Sequence, residues 1–533
     1  MLSRISKYKI RLPILIIFTL TLFYFYNNYI YFKLDNVPPL NDQAHHLTNR
    51  DYFINFFKSF NLKELKPYTK DCYPPFFYIC GAFFYFLTGN NILSCIITNS
   101  FFYLILLISI FFIGKKILDY KLGIIACLVI SLYPYIYAAT RVFLIDFALT
   151  SIVTLSICLM VYSNEFSNVK MAILFGVTCL LGMLTKQSFF FYICGPLIFN
   201  VVTALKLDSA KIKNLFIIFI IGLFIPLLYS YLFWFKTVNN LFKTSFQGVY
   251  FVPQNGWTAI FYYFKILPDQ ITWLFLIVFI FSILIYIFHK DYNKNILLSW
   301  FLLPNIFLSL IPIKDTKYTL PLLPAIALIS AWGICYIKNL KAKIFLLVFF
   351  IAYGVCLQYL LLFRINIALK INNEYFNKLL SFAPPYKIRP YGEYTHVPRH
   401  NNWAKLQDEI LSSLKQNMPQ SKNEINIGIA DYTVATDSKS IWFIPKLNKF
   451  TDNYHILNEW GIRYLITEEY LPFKIILLNK LEKIINWSSD SFFGFLLIGD
   501  SLDNIFPDLN QYYKLIKITK FYDGSYIYLY LRK

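Results

Sequence analysis

Four places in this sequence combine ionisable side chains in ways that could do chemistry. The first is Asp42 in PPLNDQAHHL. A carboxylate there could act as general base towards a hydroxyl, or it could simply cap a helix, a position Asp favours. His45 and His46 follow within a turn and could join Asp42 around a divalent metal ion, or pack at an interface. The second is TRVFLIDFALT, with Arg141 and Asp146. The planar guanidinium of an arginine suits phosphate, and a helix-end ion pair is the plain alternative. The third is Lys186 in GMLTKQSFF, and the fourth is IPIKDTKYTLPLLPA, with Lys314 and Lys317. A lysine at either place could snorkel to a membrane boundary or hold a phosphate.

The elements that must position these residues are membrane helices. Of the 533 residues 57% are hydrophobic and only 15% charged, against about 45–50% and about 25% in soluble chains. The apolar residues lie in runs long enough to cross roughly 30 Å of hydrocarbon. Spans are expected at 12–32, 93–113, 121–139, 146–162, 170–185, 188–205, 215–235, 271–288, 296–312, 319–337 and 343–363, about eleven in all. The first run follows Arg4, Lys7, Lys9 and Arg11, continues past Ile30 and has no small-residue cleavage site, so it reads as a retained signal anchor.

Charge sets the orientation. With a cytoplasmic N-terminus, the inner loops carry Lys115, Lys116 and Lys121; Lys170; Lys206, Lys211 and Lys213; Lys290 and Lys294; and Lys338, Lys341 and Lys343. Each is basic, as the positive-inside rule requires. The net charge of +21 is therefore read as orientation signal and solvated surface rather than as a nucleic-acid site. Residues 73–88 are apolar but short and open on Pro74-Pro75, so they are read as a helix at the outer interface. That leaves a long first outer loop, 33–92, within a membrane domain 1–364, and places a soluble domain 365–533 outside.

The soluble third is expected to be α/β. INIGIADYTV reads as strand and turn, YHILNEWGIRYLIT as helix, glycine turn and strand, and KFYDGSYIYLYLRK as a terminal hairpin turning at Asp523-Gly524. It contains no cysteine and so no disulfide. No two cysteines of the chain have metal-binding spacing. All four candidate places fall on the outer side by a topology derived from other residues. One candidate base and several cations on one side suit group transfer from a phosphate-activated sugar.

At this point the chain resembles a known family. Asp42 early in the first outer loop, Tyr73-Pro74-Pro75-Phe76, a GKK end to the second span, the Arg141–Asp146 connection, the Leu184-Thr185-Lys186 turn and KYTLPLLPA follow one another across roughly 35–335. In that order they are similar to the dolichyl-phosphate-mannose protein mannosyltransferase superfamily, glycosyltransferase family 39, including its bacterial aminoarabinose-transferase-like members. Two positions depart from it. Gln43 stands where many members have a second acid, and Tyr73 where the aminoarabinose transferases carry lysine.

The resemblance implies a polytopic α-helical membrane protein of GT-C fold with a C-terminal α/β domain. It implies a transferase that moves a sugar, hexosyl or pentosyl, from a polyprenyl-phosphate donor to an acceptor hydroxyl of a glycan, lipid or protein on the outer face. Asp42 and Asp146 are then the catalytic candidates, and Arg141, Lys186, Lys317 and Lys314 the donor-phosphate candidates. No cofactor is specified, and a divalent metal is compatible with the pattern. Membrane lipid is a partner and nucleic acid is not. The expected location is the inner membrane. The alternatives are an inactive or scaffolding relative, suggested by Gln43, and a transporter, against which stands the lack of charge in the middle of any span and of an internal repeat.

Overall fold

The structure is a computed structural model, and it describes residues 2–34, 41–66, 68, 73–205, 209–225, 256–288, 292–311, 314–363, 425–431, 473–477, 494–499, 513–520 and 526–532. The fold is helical and apolar, and six of the described helices are long and apolar enough to cross a membrane. By contacts the chain forms two compact units. One comprises 1–31, 49–388 and 394–397, the other 32–48, 389–393 and 398–533.

In chain order the helices are α1 (Leu2–Leu34), α2 (Asn41–Ser59), α3 (Phe76–Thr88), α4 (Asn91–Ile117), α5 (Tyr120–Ser131), α6 (Pro134–Ala139) and α7 (Ile145–Tyr162). They continue as α8 (Val169–Met183), α9 (Phe189–Leu205), α10 (Ser209–Phe219, running on into a π-turn over Ile220–Phe224), α11 (Tyr262–Phe288), α12 (Tyr292–Leu310), α13 (Leu323–Tyr336) and α14 (Leu340–Phe363). The stretch of α1 from Arg11 to Lys33, together with α4, α7, α11, the segment Thr316–Tyr336 and most of α14, are the six long candidates. Helices α5, α8, α9 and α12 are shorter apolar helices at expected spans. The expected span 215–235 is described only as far as residue 225, within α10 and its π-turn.

Local chemistry explains the boundaries. The Asn90 side chain accepts the amide of Leu93 at the start of α4, Asp119 accepts those of Lys121 and Leu122 at α5, and Asn168 that of Met171 at α8. The expected span 121–139 is in fact broken, because Pro134 lacks the amide a continuing helix needs and instead starts α6. The GKK motif has a packing reason. A Cβ on Gly114 would lie 2.7 Å from the Cα of Gly123, so α4 and α5 approach backbone to backbone there. Helix α7 and the segment Thr316–Tyr336 are the most enclosed of the long candidates, whereas α14 exposes Phe345, Val348 and Phe349, as a hydrocarbon-facing helix would.

Two backbone irregularities stand out. Asn164, Glu165 and Phe166, between α7 and α8, all have positive φ (48°, 54° and 63°). Left-handed conformation costs non-glycine residues on the order of 1–2 kcal/mol each, and here it is fixed from outside. Lys116 Nζ donates to Asn164 Oδ1, Lys211 Nζ to Glu165 Oε2, and Asn214 Nδ2 to the Phe166 carbonyl. The second irregularity is Thr272 inside α11, at φ 70° and ψ 156°.

In the second unit, β1 (Ile425–Asp431), β2 (Phe473–Leu477), β3 (Gly494–Gly499), β4 (Tyr513–Lys520) and β5 (Tyr526–Arg532) form one mixed sheet in the order β2-β1-β3-β5-β4. β1 is parallel to both β2 and β3, while β5 is antiparallel to β3 and β4. The expected strand in INIGIADYTV is β1, and the expected terminal hairpin is β4–β5, with Lys520 opposite Tyr526. The YHILNEWGIRYLIT segment and the Asp523-Gly524 turn lie outside the described residues.

Candidate functional site

The first unit gathers most of the candidate residues around the start of α7. Asp146 lies in the first turn of that helix, where an acid is favoured by the exposed amides. Its carboxylate pairs with Lys186 Nζ at 2.7 Å, and only 4% and 11% of the two side chains is exposed. This ion pair reaches 40 residues along the chain from Asp146.

Lys186 is delivered by the tight turn after α8 and is surrounded by aromatics. Its Nζ lies 5.9 Å from the centre of the Tyr73 ring and 5.5 Å from that of Tyr318. The Tyr73-Pro74-Pro75 segment is docked on the same turn, since the Phe76 amide donates to the Leu184 carbonyl at 2.9 Å. Tyr73, a departure from the family pattern in the sequence, is therefore beside the very lysine that the pattern retains.

Tyr318 belongs to a 3-10 turn, Thr316–Leu322, that carries Lys317. Asp315 caps this turn by accepting the Lys317 amide, and its other oxygen lies 3.5 Å from Lys317 Nζ. Four side chains from four other elements fasten the turn. Tyr135 donates to Thr316 Oγ1 (2.8 Å), Tyr192 to the Tyr318 carbonyl (2.8 Å), Gln270 to the Thr316 carbonyl (2.9 Å) and Trp300 to the Pro321 carbonyl (3.1 Å). Tyr135 is near enough to Asp146, Asp315 and Lys317 to feel all three charges, which places the Asp146–Lys186 pair and the Lys317 turn in one cluster.

Arg141 sits on the loop between α6 and α7 and is buried. Its guanidinium lies 3.6 Å from the centre of the Tyr137 ring and 4.5 Å from that of Tyr31, a stacked cation–π arrangement. The backbone on both sides of it is held. Asn99 Nδ2 donates to the carbonyls of Thr140 and Val142, both at 2.9 Å, and Asn28 Nδ2 donates to that of Thr140 at 3.2 Å.

Lys314 behaves differently from the other cations. Its ammonium donates to the Leu308 and Ser309 carbonyls at 2.7 Å each, closing the C-terminal end of α12. Burial pushes its pKa down to about 8. Asp42 is in the first turn of α2 and belongs to the second compact unit, as do His45 and His46, whose ring centres are 5.7 Å apart. Among the described residues no three His, Cys, Asp or Glu side chains come together as a metal-binding group.

The sequence reading missed Gln270, Tyr135 and Tyr192, which lie far along the chain from the residues they serve. Nothing in their local sequence marks them. Asp315, adjacent to Lys314 in a segment already singled out, could have been recognised from its Asp-x-Lys capping pattern.

Comparison with known proteins agrees with this architecture. The sequence model of the family described as dolichyl-phosphate-mannose-protein mannosyltransferase matches residues 73–254. No curated protein sequence matches the chain. Among solved structures, ArnT from Cupriavidus metallidurans in the apo state is similar over 97% of each chain, with a TM-score of 0.58 at 11% identity. The same protein bound to undecaprenyl phosphate gives a TM-score of 0.56, with the same identity and coverage. The chain therefore has membrane-length apolar helices and the fold seen in ArnT, and residues 73–254 match the sequence model of the dolichyl-phosphate-mannose-protein mannosyltransferases.

Proposed function

We propose that the chain is an inner-membrane glycosyltransferase that moves a hexosyl or pentosyl group from a polyprenyl-phosphate donor to an acceptor hydroxyl on the outer face. The observation that carries the reading is the buried cluster of Asp146, Lys186 and the Lys317 turn, inside a GT-C fold. One similar structure holds undecaprenyl phosphate, a ligand of the class proposed here.

In this reading about eleven helices cross the membrane, with the N-terminus inside and the C-terminal α/β domain outside. The lipid phosphate of the donor lies against Lys186 and Lys317, with Arg141 as a third cation. Lys314 adds charge from its carbonyl-bound position at the end of α12. Preorganised cations in a water-poor site stabilise charge far better than the same groups in water. Asp42 takes the proton of the acceptor hydroxyl. The acceptor oxygen bonds to the anomeric carbon as the bond from that carbon to the phosphate oxygen breaks. The lipid phosphate leaves with the electron pair and the anomeric centre inverts. Asp146 holds Lys186 in place until the phosphate charge arrives.

The acceptor is a glycan, a lipid or a protein. Purified protein in detergent should transfer labelled sugar from a polyprenyl phosphate, and mass spectrometry of glycolipids and glycoproteins with and without the gene should identify the product. No difference in either fraction, with no transfer by the purified protein, would refute the reading.

A further inference from the structure

Helix α11 is broken in an unusual way. Thr272 adopts φ 70° and ψ 156°, a conformation that glycine takes readily and that costs a β-branched residue free energy. Thr272 is fully buried, so the surrounding structure holds it there. Pro268, four residues earlier, also lacks the amide that would continue a regular ladder. Strain kept in a buried place needs a return, and the residues between these two points show one.

That residue is Gln270, only 1% exposed. Its carboxamide grips the Lys317 turn at two points. Nε2 donates to the Thr316 carbonyl at 2.9 Å and to Thr319 Oγ1 at 2.8 Å, and the Thr319 hydroxyl lies 3.0 Å from Gln270 Oε1. These contacts bracket Lys317 in sequence, with one bonded residue before it and one after it. Tyr135, Tyr192 and Trp300 reach the same turn from other helices, two of which also carry an internal proline (Pro196 and Pro304), but none of these three sits beside a left-handed break. Only Gln270 is presented by a strained break, and the break sets the direction of the helical turn that carries it.

We infer that Gln270, presented by the break at Thr272, is a positioning residue for donor binding: it fixes the Thr316–Thr319 backbone so that Lys317 meets the lipid phosphate. This rests on the proposal that Lys317 binds that phosphate. Gln270 itself touches the turn and need not touch the donor. A carboxamide suits this task because it donates and accepts without adding a charge that would oppose an anion.

The test uses the full chain, purified in detergent, with polyprenyl monophosphate as binding probe and labelled-sugar transfer as the activity. Gln270→Ala should weaken binding of the probe about tenfold and raise KM for the donor, while kcat stays within about twofold, the upper range for losing one well-made hydrogen-bonded contact. Lys317→Ala should weaken binding at least as much. The double variant should bind no worse than Lys317→Ala alone, because a positioning residue has nothing left to position. A purely structural role would instead lower thermal stability and kcat and would multiply with Lys317→Ala. Thr319→Val removes one of the two contacts from the other side, leaving the Gln270 bond to the Thr316 carbonyl, and should weaken binding in the same direction but by less. It carries the test if Gln270→Ala does not fold. Thr272→Gly should bind normally, since glycine keeps the conformation without the strain.

Normal binding by Gln270→Ala and Thr319→Val, with Lys317→Ala impaired, would overturn the inference alone. Normal binding by Lys317→Ala would overturn the phosphate role of Lys317 and the inference together. Losses that multiply in the double variant, or a tenfold loss in a well-folded Thr272→Gly, would also overturn it.

Discussion

Replacing Lys186 by methionine separates what the Asp146–Lys186 pair does for the fold from what it does for the reaction. At 2.7 Å and an effective dielectric of about 20, the attraction between the charges is about 6 kcal/mol, and desolvation cancels much of it. What remains on removing one partner is the cost of an uncompensated buried carboxylate, typically about 3–5 kcal/mol. Lys186 keeps 11% exposure, so the lower end applies and about 3 kcal/mol is expected. In a unit of this size that lowers the apparent unfolding midpoint by about 4 °C. Asp146→Asn should do less harm on its own, because it leaves an ammonium able to reach towards water. The double variant Asp146→Asn with Lys186→Met carries no buried charge and should recover most of the lost stability, as neutralised buried pairs commonly do. It should still transfer no sugar. The assays are thermal unfolding in detergent and transfer of labelled sugar from polyprenyl phosphate. A Lys186→Met protein as stable as the parent would refute the claim that the pair is desolvated. A double variant with normal turnover would reduce the pair to a structural ion pair.

Three further outcomes are expected. Asp42→Asn should lower turnover by about 10²–10⁴, the usual worth of a general base, with donor binding nearly unchanged, whereas Arg141→Ala should weaken both; an Asp42 that merely caps α2 predicts normal activity for the Asn variant. Lys314 is lowered from 10.5 to about 8 in the folded chain, so between those values the unfolded chain binds more protons and stability should rise with pH. Lys314→Met should abolish that rise in pH-dependent unfolding, and an unchanged profile would contradict the assignment. A reporter fused after Phe363 should be active only outside the cytoplasm, and cytoplasmic activity would mean that residues 73–88 cross the membrane or that another span was miscounted.

The parts legible in the sequence were those governed by short-range rules. Apolar runs and lysine-rich loops locate most of the helices, because hydrocarbon thickness and loop charge act on each segment separately. The β4–β5 hairpin follows from alternation around a turn. The site was legible as a set of places but not as a set of pairs. Lys186 and Asp146 are far apart in sequence, and nothing local distinguishes that pairing from one with Arg141. Lys314 and Lys317 look alike in IPIKDTKYT, yet one closes a helix end while the other faces Asp315, a difference decided by where α12 stops. The break at Thr272 carries no glycine to announce it, since tertiary contacts rather than local preference hold it. Asp42 was legible only as a residue type near a helix start.

The left-handed turn at Asn164–Phe166 has a consequence for how the protein is made. Two of its three outside hydrogen-bonding restraints, Lys211 and Asn214, belong to α10, which leaves the ribosome after α7, α8 and α9 have all been synthesised. Until then the turn is held by Lys116, by the hydroxyls of Ser163 and Ser167, by the Phe166–Phe175 ring contact and by its own backbone, without the two α10 restraints. The α7–α8 pair that carries Asp146 therefore reaches its final geometry only when a later helix is inserted beside it. Chains truncated before residue 211 should consequently hold these two helices in the bilayer without the locked turn between them.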